Sequence, residues 1–109
     1  MLDIIIADQF TPYPGGRYLE DGPGNGSKFR NDFLIPILDR GETANIILDG
    51  AQGYPSSFLE EVFGGLVRLG YLPDQIKSAF EIVANDPGFA RYKSLIDEYI
   101  DRAAAQVAH

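Results

Sequence analysis

The sequence predicts one α/β domain, spanning residues 1–109, with a mixed four-stranded sheet flanked by three helices in the order ββαβαβα. Three observations support this fold class. Short β-branched runs alternate with longer segments whose apolar residues recur every three or four positions. Glycine, proline and asparagine separate these segments. The length of 109 residues suits a single domain with one hydrophobic core.

The first half of the chain predicts two strands and a helix. The apolar run Leu2–Ala7 predicts a buried strand, and Arg17–Glu20 predicts a second short strand in a hairpin with it. A helix is predicted from Ser27, its N-cap, to about Arg40. Pro36 lies inside this helix, where a proline should kink it or end it early. Gly41 suits the position after the helix.

The middle of the chain predicts a central strand followed by a capped helix. The strand covers Ala44–Gly50. Ser57 and Glu60 have the spacing of a capping box, and Gly70 would close the helix that they open. The apolar positions of this helix recur with helical spacing: Leu59, Val62, Phe63, Leu66 and Val67.

The last third predicts a linker, a strand and a helix. Residues 71–77 (YLPDQIK) are predicted to be the linker, and Ala79–Ala84 the strand. Asp86 is predicted to cap a helix with Pro87 in its first turn, and residues 103–109 to fray. The expected core contains Ile4, Ile6, Phe33, Ile47, Leu48, Leu59, Phe63, Leu66, Ile82 and Tyr99.

Composition excludes several function classes. The formal net charge of -7 disfavours binding to nucleic acid. The chain has no cysteine, and its single histidine is the last residue, which excludes disulfides and thiol catalysis and argues against a histidine-dependent triad or metal site. No apolar run approaches the roughly 20 residues that span a bilayer. We therefore expect a cytoplasmic protein without a metal, a cofactor or a membrane partner.

The glycine-rich stretch EDGPGNGSKFRND, residues 20–32, matches neither a Walker A motif nor a dinucleotide fingerprint. Its cations lie in the first turn of a predicted helix, where the helix dipole disfavours them. Two interpretations follow. The cations pair with Asp32, Glu20 or another acid in solvent, which is the commoner arrangement, or they help to bind an anion or an acidic partner. The candidate anion-binding residues are Gly24, Gly26, Ser27, Lys28 and Arg30.

Two serines, Ser56 and Ser57, open the helix after the central strand. Capping alone explains Ser57, but both serines are candidates for phosphorylation. The hydroxyl of Ser56 is the freer of the two, because the capping box does not require it. A serine nucleophile would need a base, and none can be identified. Glu60 and Glu61 are predicted to form a solvated helix edge. No catalytic residue is predicted, although Asp49 ends a strand, where both catalytic acids and turns occur.

Four segments resemble the STAS-like domain family of unknown function: SKFR at 27–30, LIPIL at 34–38, IILD at 46–49 and SSFLEEVFG at 56–64. The resemblance covers roughly Gly16 to Gly70, and its most specific part is SSFLEEVFGGL. This family is similar to the anti-sigma-factor antagonists, whose small domains share the ββαβαβα order.

The resemblance implies a non-enzymatic regulatory domain that docks on a protein partner, an ATPase or serine kinase of the GHKL type. In the antagonists, phosphorylation of a serine that opens the helix after the central strand ends this docking. Ser56 matches that serine by position, although Pro55 stands where the antagonists carry an acid, and Phe58 where they carry a glycine. The residues expected to contact the partner are Tyr54, Ser56, Phe58, Glu60 and Glu61.

Two other functions remain open. One is a small-ligand or nucleotide sensor that uses the loop Gly22–Arg30, because some STAS relatives bind such ligands. The other is a small hydrolase, which ranks last because no pair of nucleophile and base can be identified.

Overall fold

The structure is a computed structural model and describes residues 2–108. Its sheet has three parallel strands in the order β1-β2-β3: β1 is Leu2–Ile5, β2 is Ala44–Ile47 and β3 is Phe80–Val83. Helical crossovers join successive strands, which is what parallel neighbours require. An α/β domain is thus confirmed, but the predicted mixed sheet of four strands is wrong.

The missing strand is the predicted hairpin partner of β1. Leu19–Asp21 is instead a single 3₁₀ turn. The backbone N–H groups of Arg17 and Tyr18 donate to the carboxylate of Asp21 at 3.1 and 3.0 Å. Local side-chain acceptors of this kind compete with a sheet ladder for backbone donors. Strand β1 also ends earlier than predicted, because a helix begins directly at Ile6.

Five helices are present among residues 2–108. The short α1 is Ile6–Gln9. Helix α2 is continuous over α-helical Gly26–Phe29, π-helical Arg30–Leu34 and α-helical Ile35–Asp39. Helix α3 is built in the same way from Ser56–Leu59, π-helical Glu60–Gly64 and Gly65–Arg68. Helix α4 is Pro73–Ala79, and α5 is Ala90–Val107, preceded by a 3₁₀ turn at Pro87–Phe89.

Pro36 does not end α2. The N–H of Ile35 bonds to the carbonyl of Arg30, five residues back, so the turn before the proline is wider than an α-turn. Because a proline ring clashes with the carbonyl four residues earlier in a regular α-helix, the wider turn makes room for it. The helix ends at the predicted place, where Gly41 has a φ of 68°.

The predicted linker before β3 is wrong, because most of it belongs to α4. Pro73 occupies the first turn, where its missing N–H costs nothing, and the inward residue Ile76 is buried. The capping prediction for Asp86 is confirmed, since its carboxylate accepts the N–H of Gly88 at 2.8 Å. Helix α5 stays regular to Val107, so fraying from residue 103 is wrong, and His109 lies outside the described residues.

The sheet is covered by helices on one face and stays partly exposed on the other. Along β2, Ala44 and Ile46 are fully buried, whereas Asn45 and Ile47 on the opposite face are only half-buried. Helix α3 lies at the centre of the helical layer and contacts both α2 and α5. Of the expected core, the following are buried: Ile4, Ile6, Leu48, Leu59, Phe63, Leu66 and Tyr99. Phe33, Ile47 and Ile82 are only partly buried.

Candidate functional site

The two segments that resemble the family most clearly meet where α2 crosses α3. At Gly26, an added Cβ would lie 2.8 Å from the carbonyl oxygen of Phe58. At Gly65, an added Cβ would lie 2.4 Å from Nη1 of Arg30. Both glycines therefore allow a close approach that any side chain would obstruct.

A buried ion pair joins the helices at this crossing. Nη1 of Arg30 donates to Oε2 of Glu61 at 2.7 Å and to the carbonyl oxygen of Glu61 at 2.9 Å. Nε of Arg30 donates to the side chain of Asn31 at 3.0 Å. Arg30 is 8% exposed and Glu61 is 6% exposed. Charges this far from water are stable only when they are paired and hydrogen-bonded, as here.

Two further arginines extend the pair to the surface. Nη1 of Arg17 lies 2.5 Å from Oε1 of Glu60 and 3.3 Å from Oε1 of Glu61. Nη1 of Arg68 lies 2.7 Å from Oε2 of Glu60. Partial burial by itself would raise the pKa of Glu60, but the hydrogen bonds from Arg68 and Arg17 outweigh it and lower the pKa. The predicted solvated edge is therefore wrong: both carboxylates belong to a network of ion pairs.

This network also displaces the predicted capping box. Helix α3 begins at Ser56, Pro55 occupies the cap position, and no side chain caps the helix. Ser57 lies inside the first turn. The carboxylate of Glu60, which the capping box requires, is held instead by guanidinium groups, and charged hydrogen bonds of this kind are stronger than neutral ones.

The glycine-rich loop is held by its own hydrogen bonds. Asn25, fully buried, is the N-cap of α2 in place of the predicted Ser27: its side chain accepts the N–H of Lys28 at 2.9 Å and donates to the carbonyl of Gly22 at 2.8 Å. The N–H of Gly26 bonds to the carbonyl of Gly16 at 2.9 Å. The backbone amides of Gly26, Ser27 and Lys28, which could otherwise bind an anion, are thus already occupied.

The cations of the loop have acidic partners. Nζ of Lys28 lies 3.0 Å from Asp32 at the surface, and Arg30 is paired with Glu61 in the interior. Pairing with acids agrees with the first interpretation, but its placement of both cations in solvent is wrong for Arg30, which is buried. Of the candidate anion-binding residues, Gly24, Gly26 and Arg30 are buried, Ser27 is half-buried and Lys28 is exposed.

The N-terminus of α3 is open to solvent. Ser56 is exposed, as is Pro55 before it. A shallow pocket of about 420 Å³ adjoins them at the carboxyl end of the sheet. Pro55, Gln52 and Tyr13, which is 70% exposed, line this pocket, and Ser56 follows Pro55 in the chain. We call these four residues, Tyr13, Gln52, Pro55 and Ser56, the Ser56 surface.

Two residues expected to contact a partner are instead part of the core. Tyr54 is 4% exposed and Phe58 is 0% exposed. The hydroxyl of Tyr54 donates to the carbonyl of Leu48 at 2.7 Å, and burial raises the pKa of this tyrosine. Its ring packs edge-to-face against Tyr92. Tyr54 nevertheless lines the pocket beside the Ser56 surface. Phe58 is enclosed in the core, and Glu61, also expected to contact a partner, is buried in its ion pair with Arg30.

Asp49 has a structural role at the same end of the sheet. Its carboxylate accepts the backbone N–H of Asn85 at 3.0 Å and that of Asp86 at 2.7 Å. These two bonds lower the pKa of Asp49 and tie the end of β2 to the turn after β3. Both carboxylate oxygens are thus engaged by backbone donors.

Residues 2–108 contain neither a cluster suited to a metal ion nor a membrane-spanning helix. No three carboxylates or histidines in this range are placed to hold a metal ion. Nor does any helix in this range have the length and apolar character needed to cross a bilayer.

One comparison with known proteins identifies a family. The model of a STAS-like domain of unknown function (DUF4325) matches residues 25–88, more than half of the chain. The chain belongs to this family. No curated protein and no solved structure matches it. The matched range begins at the N-cap of α2 and contains both crossing helices.

Sequence reasoning missed Glu61 as a buried group, although a signal was present. From Phe58 to Val67, every residue of α3 except Glu60 is buried. A helix that is apolar on nearly all sides lies in a core, so a carboxylate within it requires a cationic partner. Arg30 of the neighbouring helix α2 provides that cation.

Proposed function

We propose that this protein is a non-enzymatic regulatory domain that binds a protein partner through the Ser56 surface. The observation that carries the proposal is the position of Ser56: its side chain is exposed on the first residue of a helix whose later turns are almost wholly buried. A change at this hydroxyl can alter the surface without disturbing the core.

The partner that we propose is an ATPase or serine kinase of the GHKL type, with phosphorylation of Ser56 as the switch. Family membership supports this through the likeness of STAS-like domains to the anti-sigma-factor antagonists. The electrostatics support it too. A phosphate at Ser56 would bring about -1.5 to -2 charges to a helix N-terminus, where the dipole stabilises anions. Arg17 and Arg68 already neutralise Glu60, the nearest acid along the helix.

The geometry favours neither alternative function. A ligand sensor in the loop Gly22–Arg30 would need free amide or cationic groups, and those of Asn25, Gly26 and Arg30 are engaged internally. A hydrolase would need a base beside the serine, and the nearest carboxylate on its helix, Glu60, is paired with two arginines.

The test compares variants of one surface residue against the native partner. The partner is captured from native cells, identified by mass spectrometry and titrated with wild type, Ser56→Ala and Ser56→Asp. We expect Ser56→Ala to bind like wild type and Ser56→Asp to bind at least about tenfold more weakly, because the new charge blocks close packing.

The matched control is Ser78→Asp, which places the same charge on exposed Ser78 in α4, beside the amino end of the sheet. This variant should bind like wild type. Equal binding by Ser56→Asp, together with loss of binding by Ser78→Asp, would show that the partner uses a different surface.

A further inference from the structure

The outer edge of β3 carries an unfilled groove. A pocket of about 240 Å³ runs between this edge and helices α4 and α5. Its floor is apolar and consists of Phe63, Ile76, Phe80, Ile96 and Ile100. Ile82, half-buried, lies at the margin between floor and solvent.

Backbone hydrogen-bonding groups at this edge point outward. The N–H of Leu48 bonds to the carbonyl of Val83 at 2.9 Å, so Val83 faces β2. Backbone groups alternate along a parallel strand, and Ile82 therefore directs both its N–H and its carbonyl away from β2. Within residues 2–108 no strand lies beyond β3 to receive them. An open edge of this kind is a template for another strand.

The groups at Ile82 are self-complementary. When two copies of β3 pair antiparallel about Ile82, each Ile82 donates its N–H to the other and accepts in return, which is the hydrogen-bonded pair of an antiparallel ladder. The side chain of each Ile82 then lies next to the groove of the other copy. The partner that this edge fits is thus a second β3.

Charged residues at the rim of the groove suit the same antiparallel pairing of two copies. Four charged residues line the groove: Lys77, Glu81, Lys93 and Asp97. Lys77 is paired with Asp101. Lys93 and Asp97 lie one turn apart on α5. Among residues 2–108, neither forms an ion pair. When the two copies pair antiparallel about Ile82, the direction of α5 is reversed in the second copy, and Lys93 of each copy would face Asp97 of the other. A parallel arrangement would set like charges together.

We propose that two copies of this chain associate through β3, forming a continuous sheet of six strands, three from each copy. Isologous contacts of this kind are the commonest route to a homodimer. The groove and the Ser56 surface are lined by different residues, so the proposal does not depend on the function proposed above.

The test uses charge reversal and mixing, with mass measured by analytical ultracentrifugation. Wild type should be a dimer. Lys93→Glu and Asp97→Lys should each weaken dimerisation by at least about tenfold, because two attractive contacts become repulsive. An equimolar mixture of the two variants should restore a dimer. In the mixed dimer, the two like-charged contacts between copies are replaced by two contacts of opposite charge. The double variant Lys93→Glu/Asp97→Lys should also dimerise.

Lys28→Glu is the control, because Lys28 is exposed on α2 and does not line the groove. It should remain a dimer. Circular dichroism establishes that every variant is folded. A wild type that is monomeric up to its solubility limit would overturn the proposal, as would a folded mixture that stays monomeric or single variants that dimerise like wild type. Residue-specific isotope labelling of β3 then shows whether Ile82 of one copy contacts Ile82 of the other.

Discussion

Arg30 and Glu61 show how a single pair of residues can reverse the apparent meaning of a motif. In the sequence, Arg30 follows a glycine-rich loop and resembles part of an anion site. In the structure its guanidinium is bound to a carboxylate and a carbonyl of the neighbouring helix. Pairing of this kind holds two elements in one register, because either charge left alone in the core would be costly.

We predict that Arg30→Met destabilises the protein by about 3–5 kcal/mol, because it leaves the buried carboxylate of Glu61 without its main partner. The double variant Arg30→Met/Glu61→Leu should recover much of that loss, since apolar residues of similar volume replace the pair. Urea unfolding at neutral pH measures both.

Lys28→Met serves as the control for this experiment, because it removes an exposed cation two positions away. Its ion pair with Asp32 is solvated, so the change should stay within about 0.5 kcal/mol. If the double variant were less stable than Arg30→Met alone, the charges of Arg30 and Glu61 would stabilise the fold through contacts other than their own ion pair.

At the scale of elements, the crossing of α2 over α3 depends on glycine. Gly26 lies in the first turn of α2, with the Phe58 carbonyl directly opposite. The helices can approach because no side chain intervenes. This contact places Arg30 one turn later beside Glu61, so the glycine and the ion pair act together.

We predict that Gly26→Ala destabilises the protein by about 1–3 kcal/mol, because the new methyl group must displace backbone that cannot yield easily. Gly15→Ala is the matched control in the same loop region, since its Cβ would meet nothing nearer than 3.9 Å. Thermal or urea unfolding compares the two. Equal stability of both variants would mean that the helices separate freely at this crossing.

At the scale of the whole molecule, two carboxylates, those of Asp49 and Glu60, link folding to pH. The pKa of Asp49 is lowered by the backbone N–H groups of Asn85 and Asp86. The pKa of Glu60 is lowered as well, because hydrogen bonds from arginines exceed the opposing effect of burial. Groups with a lowered folded-state pKa stabilise the fold above their unfolded pKa, and this contribution is lost as pH falls through the folded value.

We predict that stability declines as the pH is lowered below about 4, where unfolded aspartate and glutamate take up protons before the folded groups do. Urea unfolding measured from neutral to acid pH tests this. Asp49→Asn should show a shallower decline over that range, because one linked carboxylate has been removed. A stability that stays constant through the acid range would contradict the pKa directions.

The sequence by itself determined the three strands of the sheet, the positions of α2, α3 and α5, and the family. These follow from local patterns: apolar runs for strands, a period of three to four for helices, and a contiguous motif at residues 56–64. The family match at residues 25–88 agrees. Helix α4 was missed because its short apolar pattern contains a proline, a residue that marks helix starts as well as linkers.

Only the tertiary structure decided the partners of the charged groups. Arg30 and Glu61 are 31 residues apart in the chain, and no local pattern relates them. The second predicted strand failed for a different, local reason, since Asp21 accepts the backbone donors of Arg17 and Tyr18 that strand pairing would have used. Burial and ion pairing depend on which elements come together in space. Local sequence sets the period of each element, and packing determines what each of its side chains contacts.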